Sequence, residues 1–140
     1  MDTNKMNTKQ ALNLLKQNGY KYTGKREDMI HFFDKENRYR TAKDLLHHME
    51  PNYKGISVDT IYRNLHLFHS LGILESTDLN GEKHFRMKCD HHHHHHFICK
   101  NCGETKEIHH CPMDKIVQEL DSYEVEDHKF EIYGFCPACK

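Results

Sequence analysis

Four cysteines in two pairs, Cys99-x2-Cys102 and Cys136-x2-Cys139, constrain this chain more than any other feature. Two residues between cysteines let both thiolates of a pair turn toward one ion from a tight knuckle. Two such pairs close a tetrahedral zinc shell and leave no open position for catalysis. An ion held this way contributes directly to folding, and here it would tie the last residues back to those near 100. A redox dithiol pair and an iron–sulfur cluster are the other chemistries that the spacing allows. A disulfide framework is not expected. Met1–Gln10 is polar and lacks the apolar stretch of a secretory signal. No apolar run approaches the ~20 residues of a membrane span. The chain is therefore expected in the cytoplasm, where cysteines stay reduced.

At 140 residues the chain suits two small units, neither of which buries much apolar surface alone. A metal or an oligomer interface is expected to help. The net charge of −1 hides a split. Residues 1–87 carry 14 Lys and Arg against 11 Asp and Glu, whereas residues 88–140 carry 6 against 10. The first half suits an anionic partner and the second a metal or protein contact, although so small an excess is also ordinary scatter.

The first half reads as short amphipathic helices followed by a hairpin. Thr8–Asn18 places Leu12 and Leu15 on one face and stops at Gly19. Gly24–Lys35 carries Met29, Ile30 and Phe33, and Thr41–Met49 carries Leu45, Leu46 and Met49 ahead of Pro51. Ser57 caps a longer helix with Ile61, Leu65, Phe68 and Leu71 at helical spacing before Gly72. Ile73–Asp78 and Lys83–Met87 flank Asn80-Gly81, a strong hairpin signal. This order predicts a winged helix-turn-helix over 1–87. Beyond a hinge at about 87–91, Phe97–Cys99, Thr105–His109 and Lys129–Tyr133 read as strands around one helix, Pro112–Leu120. Ile116, Val117 and Leu120 of that helix are expected to point inward, and Phe130 and Ile132 share one face of the last strand. The fold class is α+β, with a small α/β dimerisation and metal-binding unit over 88–140.

Six consecutive histidines, His91–His96, look like an affinity tag, but the tract is internal and runs straight into Phe97-Ile98-Cys99. In an extended segment alternate side chains face opposite ways, so His92, His94 and His96 serve one side and His91, His93 and His95 the other. One tract can thus feed two metal sites. Cys89, His94 and His96 make a soft sulfur–nitrogen set that favours zinc over ferrous iron or manganese. The plainer reading of Cys89 is a small buried hydrophobe.

These motifs together resemble the ferric uptake regulator family of bacterial metal sensors over nearly the whole chain. The matching residues are Thr41-Ala42-x2-Leu45, Thr60-Ile61-Tyr62-Arg63-x-Leu65, Gly72-Ile73-Leu74-Glu75, the histidine tract into Cys99-x2-Cys102-Gly103, His128-x4-Tyr133-Gly134 and the closing cysteine pair. Within the family the chain is most similar to the zinc uptake regulator branch. That resemblance implies a sensor site of Glu75, Cys89, His94 and His96. It implies a possible additional site of His93, His95, Asp114 and His128, with Glu107 a rival for Asp114. Iron and peroxide sensors usually carry a histidine shortly before the Thr/Ser-Ala pair, where this chain has Tyr39-Arg40. Cys111 matches no family position and reads as a surface thiol, a helix cap or a stray ligand.

The resemblance implies a homodimer that binds an AT-rich palindromic operator in double-stranded DNA when zinc is bound, and so represses zinc-uptake genes. The helix beginning at Ser57 would enter the major groove by its N-terminal half, with Thr60 in the same turn. Tyr62 would press on a thymine methyl and Arg63 would reach a guanine edge or a phosphate. Lys21, Lys25 and Arg26 would grip the backbone, and the wing tip Asn80–Lys83 would touch it. A solvated helix face is the plainer reading of these polar residues. Metal held by Glu75, Cys89 and the two histidines would fix the hinge, acting through its preference for that form. A hydrolytic metalloenzyme is disfavoured, because no acid/base pair is legible. A zinc buffer would not need Thr60-Ile61-Tyr62-Arg63. Sensors of iron, manganese, nickel or peroxide in the same family remain alternatives. Neither a membrane nor a small-molecule substrate is expected as a partner.

Overall fold

Side-chain caps start each of the first four long helices. Asn7, Thr23, Thr41 and Ser57 accept the backbone N–H groups of Gln10, Arg26, Asp44 and Thr60. These donors have no intrahelical partner, so the caps fix where each helix begins. Asn7 with Gln10 and Thr41 with Asp44 complete reciprocal capping boxes. The computed structural model describes residues 6–89 and 95–140. It divides into two units, Met1–His91 and His92–Lys140.

The first unit runs α1 (Thr8–Gln17), α2 (Gly24–Asp34), β1 (Arg40–Thr41), α3 (Ala42–Met49), α4 (Val58–Ser70), β2 (Leu74–Leu79) and β3 (Glu82–Met87). Leu15, Ile30, Phe33, Leu45, Ile61, Leu65, Phe68, Phe85 and Met87 meet in one core, each with a few per cent or less exposed. Their 3.6-residue spacing in α4 leaves the opposite face to solvent. β2 and β3 form an antiparallel hairpin with Leu79 opposite Glu82. Its turn has φ of 54° at Asn80 and 79° at Gly81, the pair of left-handed residues that a type I′ hairpin needs. The two-residue strand β1 adds to the far edge of β3, giving the order β1-β3-β2. So short a strand leaves no periodic trace in the sequence, and it was not expected there. The architecture is a winged helix followed by a small α/β unit.

The second unit contains β4 (His95–Cys99), β5 (Thr105–Ile108), α5 (Met113–Ile116) and β6 (Glu131–Gly134). The sheet order is β5-β4-β6, antiparallel on one side of β4 and parallel on the other. Two expectations are corrected here. The helix expected over 112–120 is one α-turn followed by a 3-10 turn at Val117–Leu120. Its Ile116 and Val117 are 41 % and 42 % exposed rather than inward, and Phe130 and Ile132 are 37 % and 43 % exposed. Among the described residues their own unit offers one three-stranded sheet and little else to pack on. Among its described residues the buried apolar side chains are Ile98, Cys99 and Cys136. No helix among the described residues is long and apolar enough to cross a membrane.

Candidate metal centres and nucleic-acid interface

The four-thiol site forms where β4 ends. Cys99 closes that strand, and Gly103, with φ of 78°, turns the chain back so that Cys102 faces it. Lys100 donates its N–H to the Gly134 carbonyl at 2.8 Å, which brings the end of β6 and the Cys136–Cys139 turn alongside. The four sulfurs lie within 4.8 Å of one another. Cys102 Sγ and Cys136 Sγ are 3.8 Å apart, and Zn–S bonds of ordinary length at tetrahedral angles require about 3.8 Å. The donor set therefore fits a closed tetrahedral zinc site.

Backbone geometry already favours charge at one corner. Burial alone would raise the Cys99 thiol, but N–H groups of Cys102, Cys136 and Asn101 point at it and bring it down to about 6. Cys102 and Cys136 donate at 3.5 Å and 3.4 Å. Burial and neighbouring thiols push Cys136 up to about 12 and raise Cys102. Metal binding must therefore expel protons, and affinity at this site falls as the pH falls.

Glu75 and Cys89 come together in the first unit around a residue that the sequence did not single out. Arg86 is 1 % exposed. Its Nε lies 3.5 Å from Glu75 Oε2, and its guanidinium donates to Cys89 Sγ at 3.6 Å and Asn37 Oδ1 at 3.1 Å. It donates also to the Met87 carbonyl and stacks 5.8 Å over the Tyr39 ring. Cys89 N–H donates to Glu75 Oε2 at 3.4 Å. A buried guanidinium persists only with such a set of acceptors, and here it presents positive charge to a carboxylate and a thiol at once. His96 is buried at 8 % exposure in β4 of the second unit. His94 and His93 lie outside the described residues.

Of the additional set, the structure brings His95 and His128 together, with Nε2 atoms 3.3 Å apart. Asp114 is exposed on α5 and is not part of that group. Glu107, half-buried on β5, lies 3.9 Å from His109. The third member is Cys111, whose Sγ is 3.6 Å from His128 Nε2. Pro112 rather than Cys111 occupies the cap position of α5, and it makes no side-chain cap bond. The sequence signal for Cys111 is a thiol left over once the CxxC pairs and Cys89 are assigned.

On α4, Ser57 and Thr60 are committed to each other, with Ser57 Oγ accepting from Thr60 N–H at 3.0 Å and lying 2.8 Å from Thr60 Oγ1. Tyr62 and Arg63 project from the next turn, 57 % exposed and with a 72 % exposed side chain respectively. Arg63 is held by Asp59 one turn earlier at 3.3 Å. Arg26 does not project freely. It donates to Asn64 Oδ1 at 3.2 Å and to the Lys21 carbonyl at 3.1 Å, and so fastens the start of α2 to α4. Lys25 lies over the Tyr53 ring at 5.7 Å. Lys21 is exposed just before α2.

The sequence profile of the ferric uptake regulator family matches residues 17–133. A ferric uptake regulation protein of Staphylococcus epidermidis is 55 % identical over 135 residues, covering 96 % of this chain and 97 % of its own length. One of Staphylococcus aureus is 53 % identical over 135 residues, covering 96 % and 99 %. Among solved structures, the Helicobacter pylori ferric uptake regulator superposes with a TM-score of 0.75 at 17 % identity, over 98 % of this chain and 96 % of that one. The Vibrio cholerae ferric uptake regulator gives 0.68 at 26 %, over 89 % and 98 %. A zinc uptake regulator complexed with zinc and DNA gives 0.69 at 20 %, over 94 % and 91 %.

Proposed function

Because this chain belongs to the ferric uptake regulator family, we propose that it is a zinc-responsive transcriptional repressor acting in the cytoplasm. In this reading a homodimer binds a palindromic, AT-rich operator when loaded with zinc and represses zinc-uptake genes. One zinc ion is held by Cys99, Cys102, Cys136 and Cys139 in each chain. The sensed ion is held by Glu75, Cys89, His94 and His96, and an additional ion by His93 and His95 with His128. The exposed apolar side chains of Ile116, Val117, Ile132 and Tyr133 support a dimer, since a second copy would cover them.

The observation that carries zinc is Cys89, a thiol held beside Glu75 by Arg86. Sulfur beside imidazole suits zinc, while ferrous iron and manganese take more oxygen. A second reading is favoured by the relatives named ferric uptake regulation protein. In it the same apparatus responds to ferrous iron. The test is operator binding by the purified protein across buffered free-zinc and, anaerobically, free-iron series, with Cys89→Ser alongside. Tight binding that appears with zinc and weakens tenfold or more in Cys89→Ser is expected. Binding that follows iron and ignores Cys89 would move the chain to the iron reading. Binding that follows neither metal would sink the switch.

DNA reading is assigned to the free turn of α4. Arg63 carries its guanidinium into solvent with Asp59 as its ion-pair partner, a pair worth little at the surface and readily exchanged for a base edge or phosphate. Arg63→Ala is expected to weaken binding by about 1–3 kcal/mol. Ordinary titrations of the variant against operator and scrambled DNA decide the role. Equal loss on both sequences assigns Arg63 to phosphate, loss on the operator alone to a base, and no loss on either removes it from the interface.

A further inference from the structure

Three chain segments of the second unit converge on one point: the start of β4, the stretch between β5 and α5, and the stretch ahead of β6. They deliver His95, Cys111 and His128, whose ligand atoms lie within 4.8 Å of one another. The two edges at His128 have the lengths of a coordination shell. Ordinary zinc bonds to two imidazoles at tetrahedral angles separate the nitrogens by about 3.3 Å, and bonds to an imidazole and a thiolate separate the ligand atoms by about 3.6 Å. His95 Nε2 and His128 Nε2 are 3.3 Å apart, and Cys111 Sγ and His128 Nε2 are 3.6 Å apart. His95 is buried at 8 % exposure, its ring packed 5.1 Å from that of His128 and edge-on to Phe130 at 5.4 Å. Two facing imidazole nitrogens share at most one proton between them, and a thiol is a weak donor. One divalent cation can accept all three ligand atoms at once.

We infer that Cys111, with His95 and His128, is a ligand of a second regulatory metal site, and that its thiolate takes the place expected for the Asp114 carboxylate. The site is a sulfur–nitrogen one, matched to a borderline-soft divalent cation such as zinc. Cys111 thereby has a role, and the ligand set is a property of this chain's own residues. The inference rests on the metal-regulator reading only for the choice of ion.

Cobalt(II) is the probe, because a thiolate bound to it gives an intense near-ultraviolet charge-transfer absorption that carboxylates and imidazoles do not give. The full-length protein is prepared with zinc in the four-thiol site and with Cys89→Ser, so that Cys111 is the remaining thiol outside it. Cobalt titration is expected to produce the band, and zinc to displace it. Cys89→Ser/Cys111→Ser is expected to lose the band, and Cys89→Ser/Cys111→Asp to bind cobalt without it. Absence of the band in Cys89→Ser overturns the assignment and leaves the two histidines as a hydrogen-bonded pair. Loss of cobalt binding in Asp114→Asn with retention in Cys111→Ser overturns it in favour of the carboxylate. The measurement uses no DNA, so failure of the repressor reading and failure of this ligation are separate results.

Discussion

Replacing Cys102 by serine is expected to unfold the second unit and leave the winged helix standing. The reason is how little that unit buries. Its described buried apolar side chains are Ile98, Cys99 and Cys136, and two of those three are metal ligands in the proposed site. At a few kcal/mol for a buried aliphatic side chain, Ile98 cannot offset the entropy of ordering the sheet, about 1–2 kcal/mol for each residue. Zinc in small structural sites contributes about 10–16 kcal/mol of apparent folding free energy at neutral pH. A serine in the shell forfeits most of that. The expected result is loss of one zinc ion per chain by metal analysis and loss of amide-exchange protection at Phe97, Ile98 and Tyr133. Protection at Ile61, Leu65 and Phe68 should persist, because those residues sit in a core that contains no metal ligand. A metal-free Cys102→Ser protein that keeps β4 and β6 protected would show that the site is dispensable for the fold. Strong chelators acting on the unaltered chain should reproduce the loss, more readily as the pH falls, since protons compete for the thiolates.

Arg86→Met is expected to cost the winged unit about 3 kcal/mol. Methionine keeps much of the volume but removes a charge that is 1 % exposed. Removing one member of a buried ion pair typically costs about 3–5 kcal/mol, because the other member is left without compensation. The lower end applies here, since the Glu75 side chain retains 30 % exposure and water screens part of the pair. Asn37 and the Met87 carbonyl lose a donor as well. Urea unfolding of the first unit followed by circular dichroism should show a lower midpoint with an unchanged slope. The variant Glu75→Gln/Arg86→Met should lose less than the sum of its parts, because the two side chains share one interaction. A loss below about 1 kcal/mol, or strict additivity, would mean that the guanidinium is held by packing rather than by its partners.

The chain's order of elements was legible in its sequence because each boundary is set by local chemistry. Ser57 and Thr41 cap helices by bonding to N–H groups three residues on. Asn80-Gly81 turns a hairpin because both residues accept a positive φ. The Ile61, Leu65 and Phe68 spacing is inherent in a helix with one buried face. The four-thiol site was legible for a related reason, since two residues between cysteines fix the reach of both thiolates before any tertiary contact forms.

Tertiary structure alone decided what depends on who arrives from elsewhere in the chain. Arg86 follows Phe85 in a strand and, as a charge, reads as solvent-facing. Its burial is possible because Glu75, Asn37 and Tyr39 arrive from other segments to receive it. Ile116 and Val117 were expected inward, yet among the described residues of their own unit a three-stranded sheet leaves them exposed, as it does Phe130 and Ile132. Cys111 and Asp114 are three residues apart, and spacing cannot choose between them. The path from β5 into α5 sets Cys111 beside His128 and leaves Asp114 in solvent. Sequence determines chemistry that is complete within a few residues, whereas convergence of distant side chains is a property of the fold.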